Sequence, residues 1–143
     1  SNKPVTINFK KQLMDFLHIA LPDSHYSKFI LINEEVLKKT PYKIKIQIFR
    51  IIQESITNII KHTSAKEIKI SIDEEMGNLK LIILENGSSD LVSMIIPNNY
   101  EKKLKTINAR VKELSGKINI NSSKNSGTEL VVLIPIDSIK TPS

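Results

Sequence analysis

The sequence predicts an α+β domain, a two-layer sandwich in which a mixed, mostly antiparallel sheet is covered on one face by three helices. Amphipathic stretches with apolar residues three and four apart alternate with short β-prone runs, in the order helix, strand, helix, strand, strand, helix, strand, strand. The chain has 143 residues and an ordinary apolar fraction, enough for one hydrophobic core but short for two. No internal repeat or low-complexity linker divides it, so residues 9–137 read as one domain, with residues 1–8 as a leading linker and 138–143 as a tail.

From Phe9 to Ala20 the residues Leu13, Phe16, Leu17 and Ala20 line one side of a helix, which Leu21-Pro22-Asp23 ends. Lys28 to Ile32 is short and β-prone, a first strand, and Asn33 to Lys39 reads as a polar connector. Thr40-Pro41 supplies a capping hydroxyl and a proline at the first helical position, opening a long helix from about Tyr42 to His62. Ala65 to Asp73 alternates Ile68, Ile70 and Ile72 with polar residues, and Leu79 to Leu84 is an apolar run, interrupted by Lys80, after Gly77-Asn78; together they predict a hairpin. A turn-rich stretch from Glu85 to Asn99 precedes a third helix, Glu101 to Ser115, which Gly116 closes. Lys117 to Asn121 and Glu129 to Ile136 are the last strands, with Pro135 marking an edge or strand end.

Composition narrows the function classes. Without cysteine there are no disulfides or thiolate metal sites, and three scattered histidines leave little for zinc, so a bound metal would be a hard cation held by oxygens. No apolar run approaches the roughly 18 residues that span a bilayer, and no signal-peptide layout is present, so a soluble, cytoplasmic domain is expected. The opening Ser1-Asn2, without an initiator methionine, fits a cloning remnant followed by a sequence entered mid-protein, so upstream domains are expected too. The net charge of +6 comes from lysines spread among acidic residues, and aromatic residues are scarce, which argues against nucleic acid as a partner.

On the long helix, at about 100° per residue, Ile48, Ile52, Ser55, Ile56 and Ile59 gather on a core side. Gln47, Arg50, Glu54, Asn58 and Lys61 gather opposite, with His62 following. Spacing alone fits a solvated polar side as well as it fits a site. As a site, the set suits magnesium-bound phosphate: the carboxylate orients a proton in transfer, the amide oxygen is a hard ligand for Mg2+, and the lysine offsets phosphate charge.

The string Arg50 to His62, RIIQESITNIIKH, resembles the asparagine box of sensor histidine kinases in the GHKL ATPase superfamily, in the branch that carries R-I-x-Q-E-A-x-x-N-x-x-K-H. Lys80 to Gly87, KLIILENG, is similar to the strand and turn bearing the family's D-x-G adenine motif. Leu104 to Gly116, which includes Arg110, is similar to the helix after the nucleotide lid, and Ser126-Gly127-Thr128-Glu129 to the closing G-T-E.

The resemblance implies a histidine-kinase-type ATPase fold that binds Mg·ATP. It implies that Asn58 coordinates the metal, that Glu54 acts catalytically on the acceptor imidazole, and that Lys61, His62, Glu85, Gly87 and Thr128 contact the nucleotide. Phosphate would pass to a histidine on an upstream dimerisation domain and then to a response regulator, the full-length protein being a homodimer. None of His18, His25 and His62 has the phosphoacceptor context, so the fragment alone is not expected to autophosphorylate.

Three departures qualify that expectation. Glu85 stands where the family has aspartate, Ser89 replaces a second glycine, and Glu101-Lys102-Lys103-Leu104 replaces G-x-G-L before the post-lid helix. Side chains there crowd the approach of backbone amides to phosphates. The lid between Asp90 and Tyr100 is apolar, with Leu91, Val92, Met94, Ile95 and Ile96. The alternative expectation is a nucleotide-poor module that regulates by docking on a protein partner.

Overall fold

The computed structural model describes residues 8–87, 97–123 and 127–136. Helix α1 (Phe9–Ala20) is followed by β1 (Ser27–Ile32), α2 (Glu34–Lys39), α3 (Tyr42–His62), β2 (Glu67–Glu75) and β3 (Asn78–Glu85). The last helix, α4 (Pro97–Glu113), leads into β4 (Lys117–Ser123) and β5 (Gly127–Pro135). The five strands form one sheet in the order β1-β2-β3-β5-β4. Only β1 and β2 run parallel; the other three pairings are antiparallel.

The period-two pattern does what it predicts. Ile68, Ile70 and Ile72 of β2, Leu79, Leu81 and Ile83 of β3, and Leu130, Val132 and Ile134 of β5 form one buried cluster with Leu13, Leu17, Ile48, Ile52, Ile56, Ile107 and Val111 of the helices. On the other face Phe29 and Leu31 stand exposed. The hairpin turns through Met76 and Gly77, both at positive φ (50° and 81°), as a two-residue type I′ turn requires. α1 is capped by the Asn8 side chain, which accepts from the Lys11 amide at 3.1 Å, and it meets α3 where Phe9 and Phe16 set their edges against Phe49.

Three expectations need correction. The connector Asn33 to Lys39 is a helix, α2, capped by the Asn33 side chain on the Glu35 amide. Glu34 and Glu35 lie at its N-terminal end and Lys38 and Lys39 at its C-terminal end, complementing the helix dipole. Six residues are too few to display a period, but its Val36 and Leu37 are buried. Thr40 does not cap α3: its hydroxyl donates back to the Val36 carbonyl at 2.6 Å, closing α2, and Pro41 takes the N-cap position itself. The third helix starts four residues earlier than expected, at Pro97.

The end of α4 also differs in its physics. The Gly116 amide donates to Val111 O and the Ser115 amide to Lys112 O, both at 2.9 Å, the paired bonds of a Schellman cap. The residue in the left-handed conformation is Ser115 (φ 57°), not the glycine. Gly116 is needed for space, since a Cβ there would lie 2.6 Å from the Leu133 carbonyl oxygen. Ser115→Gly is therefore expected to raise stability, by up to about 1 kcal/mol, by relieving the left-handed strain. Gly116→Ala is expected to lower it by about 1–3 kcal/mol through the clash. Urea denaturation of the two variants checks the pair.

Candidate functional site

Two cavities meet at Asn58. The first lies between α3, α4 and the end of the sheet, walled by Ile59, Ile83, Ile107, Ile120 and Leu130, with Ser55, Asn58, Thr63, Glu85 and Thr128 completing it. The second opens along α3 toward α4 and is lined by Gln53, Glu54, Thr57, Asn58 and Thr106. One is a mostly apolar slot with a carboxylate in its lining; the other is lined by residues with polar side chains, whose carbon stems still form most of its surface.

Glu85 is the last residue of β3 and pairs with Thr128 near the start of β5. It is 3% exposed, and neither carboxylate oxygen completes a hydrogen bond within the described residues. Burial pushes its pKa above the usual 4.5. The hydroxyls of Thr63 and Thr128 and the amides of Thr128 and Gly87 lie near and pull the other way, less strongly. A buried carboxylate left unsatisfied costs on the order of 1–3 kcal/mol or more, so a ligand offering N–H donors would recover free energy there.

The backbone around Glu85 is tightly held. Gly127 has φ +86°, and a Cβ on it would fall 1.8 Å from the Glu85 carbonyl oxygen, so only glycine lets β5 start against β3 at this point. Asn86 turns its side-chain oxygen to the amides of Lys66 and Glu67, both at 2.9 Å. Gly87 packs on the backbone of Ala65, where a Cβ would come within 2.2 Å of the Ala65 nitrogen. This close approach joins the end of β3 to the turn after α3, whatever else Gly87 does.

Asn58, expected on the polar side of α3, is only 6% exposed, because α4 and the sheet end cover that edge of the helix. Ser55 is buried and satisfied, its hydroxyl donating to Ile51 O at 2.7 Å. Glu54 accepts from Arg110 Nε at 2.8 Å through one oxygen, while its other oxygen is buried with no hydrogen-bond partner among the described residues. Arg110 Nη1 reaches Gln47 Oε1 at 3.2 Å.

The structure thus gathers Glu54, Asn58, Glu85 and Thr128 around the two cavities. Lys61 and His62 line neither, and Lys61 is exposed. Residues that the sequence pattern did not assign to the site include Thr63, Thr106 and the five apolar walls; only Ile83 and Leu130, each two positions from an expected site residue on the same strand, carried a local signal. Glu101, Lys102 and Lys103 fall within α4 rather than before it. Ser89 and the apolar lid residues from Leu91 to Ile96 lie outside the described residues. Among the described residues no three His, Asp or Glu side chains gather as a metal site. No helix among them is long and apolar enough to cross a membrane.

The pKa displacement of Glu85 has a sign that can be tested. A carboxyl whose folded pKa is raised binds more protons folded than unfolded, so its contribution to stability falls as pH rises from about 4.5 through the folded pKa. Thermal melts of Glu85→Gln and wild type from pH 4.5 to 8 are expected to show the variant gaining on wild type as pH rises. A constant difference would mean that burial of Glu85 is compensated.

The family described as histidine kinase-, DNA gyrase B- and HSP90-like ATPase matches residues 43–138. A sensor histidine kinase, YdfH of Bacillus subtilis (strain 168), is 38% identical over 89 residues, covering 62% of this chain and 22% of its own length. The signal transduction histidine-protein kinase/phosphatase DegS of Brevibacillus brevis is 29% identical over 104 residues, 69% of this chain and 25% of its own. The chain therefore spans about a quarter or less of these curated relatives.

Among solved structures, the Acinetobacter baumannii histidine kinase AdeS superposes with a TM-score of 0.66 at 16% identity, over 90% of this chain and 64% of that one. The blue-light activated histidine kinase of Erythrobacter litoralis EL346 gives 0.67 at 15%, over 92% and 41%. These likenesses are of fold. With the family match extending from α3 past the end of β5, the chain belongs to the histidine kinase-, DNA gyrase B- and HSP90-like ATPase family.

Proposed function

We propose that this chain is the catalytic, ATP-binding domain of a two-component sensor histidine kinase, working in the cytoplasm beside an upstream dimerisation domain that bears the phosphoacceptor histidine. The observation that carries the reading is the pair of cavities joined at Asn58, each lined by a carboxylate with at least one buried oxygen that has no hydrogen-bond partner among the described residues. The apolar slot suits a flat purine, and Glu85 suits its exocyclic amino group. Thr63 and Thr128 stand beside that carboxylate as further polar contacts. Glutamate in place of aspartate advances the carboxylate by one methylene, and its burial fits a base bound close to the sheet end.

The polar cavity suits phosphates. The Asn58 amide oxygen is a hard donor fitted to Mg2+, with phosphate oxygens completing the coordination. Magnesium, when bound, would neutralise charge on the transferring phosphoryl group. Glu54 would accept the proton of an incoming imidazole N–H, a role its second oxygen, which has no hydrogen-bond partner among the described residues, supports. Lys61 and His62, one turn further along α3, would meet phosphates only from the rim. The histidine that receives the phosphate and the response regulator that takes it onward belong to the longer relatives' kind of assembly, and are part of the proposal.

Isothermal calorimetry with Mg·ADP tests the reading. Micromolar binding is expected, and Asn58→Ala should weaken it at least tenfold, about 1.4 kcal/mol, only when magnesium is present. Glu85→Ala should weaken it with or without the metal. Binding that is absent, or indifferent to both substitutions, would instead indicate the nucleotide-poor docking module.

A further inference from the structure

Arg110 sits on α4, 56 residues from Glu54, and the two meet across the wall of the polar cavity. The way they meet is unusual for an arginine facing a carboxylate. A guanidinium commonly grips both carboxylate oxygens with two parallel N–H bonds. Here Nε holds Oε1 of Glu54 at 2.8 Å, and Nη1 is turned instead to Gln47 Oε1 at 3.2 Å. Gln47 and Glu54 lie two turns apart on α3, so the guanidinium is fixed at two points on one stripe.

The consequence is that Oε2 of Glu54 is buried and without a hydrogen-bond partner among the described residues, on a side chain that lines the cavity shared with Asn58 and Thr106. A purely structural ion pair would satisfy that second oxygen, because leaving it dry costs free energy. Thr106 lies one turn before Arg110, so the same face of α4 lines the cavity and holds the carboxylate.

We infer that Arg110, assisted by Gln47, is a positioning residue for Glu54: it fixes one oxygen so that the other is presented to the N–H of the phosphate acceptor. Because Arg110 is carried by α4, displacement of that helix would withdraw the alignment of Glu54 without touching Asn58. The inference rests on the kinase reading proposed above.

The test uses the intact protein and autophosphorylation from γ-labelled ATP, with Arg110→Gln, Arg110→Lys, Glu54→Gln and the double variant Glu54→Gln/Arg110→Gln. Arg110→Gln should lower kcat at least about tenfold while KM for Mg·ATP stays within about twofold. Arg110→Lys, which retains one charged donor, should recover a substantial part of kcat. The double variant should be no worse than Glu54→Gln, since both changes remove one function. A rise in KM with kcat retained, or losses that multiply in the double variant, would overturn the inference and leave Arg110 a brace between helices. If Arg110→Gln melts well below wild type, the comparison is made on Arg110→Lys and its double variant, with the same two criteria. A wild type that binds Mg·ATP but forms no phosphohistidine, or a Glu54→Gln variant that loses nothing, overturns the kinase reading itself and this inference with it.

Discussion

A carboxylate buried without partners is an expensive thing to place at the end of a strand, and much of the local structure serves to keep Glu85 there. Gly127 lets β5 begin directly over the Glu85 carbonyl, and register then brings Thr128 opposite it. Asn86 ties the chain to Lys66 and Glu67, and Gly87 presses on Ala65, so β3 cannot turn its last side chain outward. Five apolar residues wall the slot that Glu85 shares. The energetic cost of that burial must be offset by packing elsewhere, as in sites that trade stability for binding.

Helix α3 connects this slot to the phosphate side. Its core stripe, Ile48, Ile52 and Ile56, is anchored on the sheet, and that anchoring fixes the rotation of the helix. Once the rotation is fixed, Asn58 must face the junction of the two cavities and Glu54 must face α4 one turn earlier. Helix α4 then closes the arrangement from above: Ile107 walls the slot, Thr106 lines the polar cavity, and Arg110 holds Glu54. Among the described residues, the proposed base, metal and proton-accepting positions are thereby carried largely by two helices packed on one sheet.

Much of this was legible in the residues. The period-two runs in β2 and the apolar repeat in α3 dictated their elements, because both elements bury one face against the same core. Of the residues the resemblance singled out, Glu54, Asn58, Glu85 and Thr128 line the two cavities, and Lys61, His62 and Gly87 line neither. What was not legible depends on contacts between distant segments. The six residues of α2 carry no period, and Thr40 reads as a cap for the helix after it but bonds to the helix before. Asn58 reads as solvated until α4 covers it. Ser115 takes the left-handed position beside a glycine that is required for clearance instead. The partnership of Arg110 with Glu54 spans 56 positions, beyond any local pattern.

The central claim is that Glu85 and Asn58 divide one nucleotide between them, base on one side and metal-bound phosphates on the other. A crystal structure of the chain with magnesium and a non-hydrolysable ATP analogue tests it most directly. The account predicts an exocyclic amino group within hydrogen-bond reach of a Glu85 oxygen and a magnesium ion on the Asn58 side-chain oxygen. A nucleotide bound elsewhere, or one seated in the slot with Glu85 still unpartnered, would contradict it.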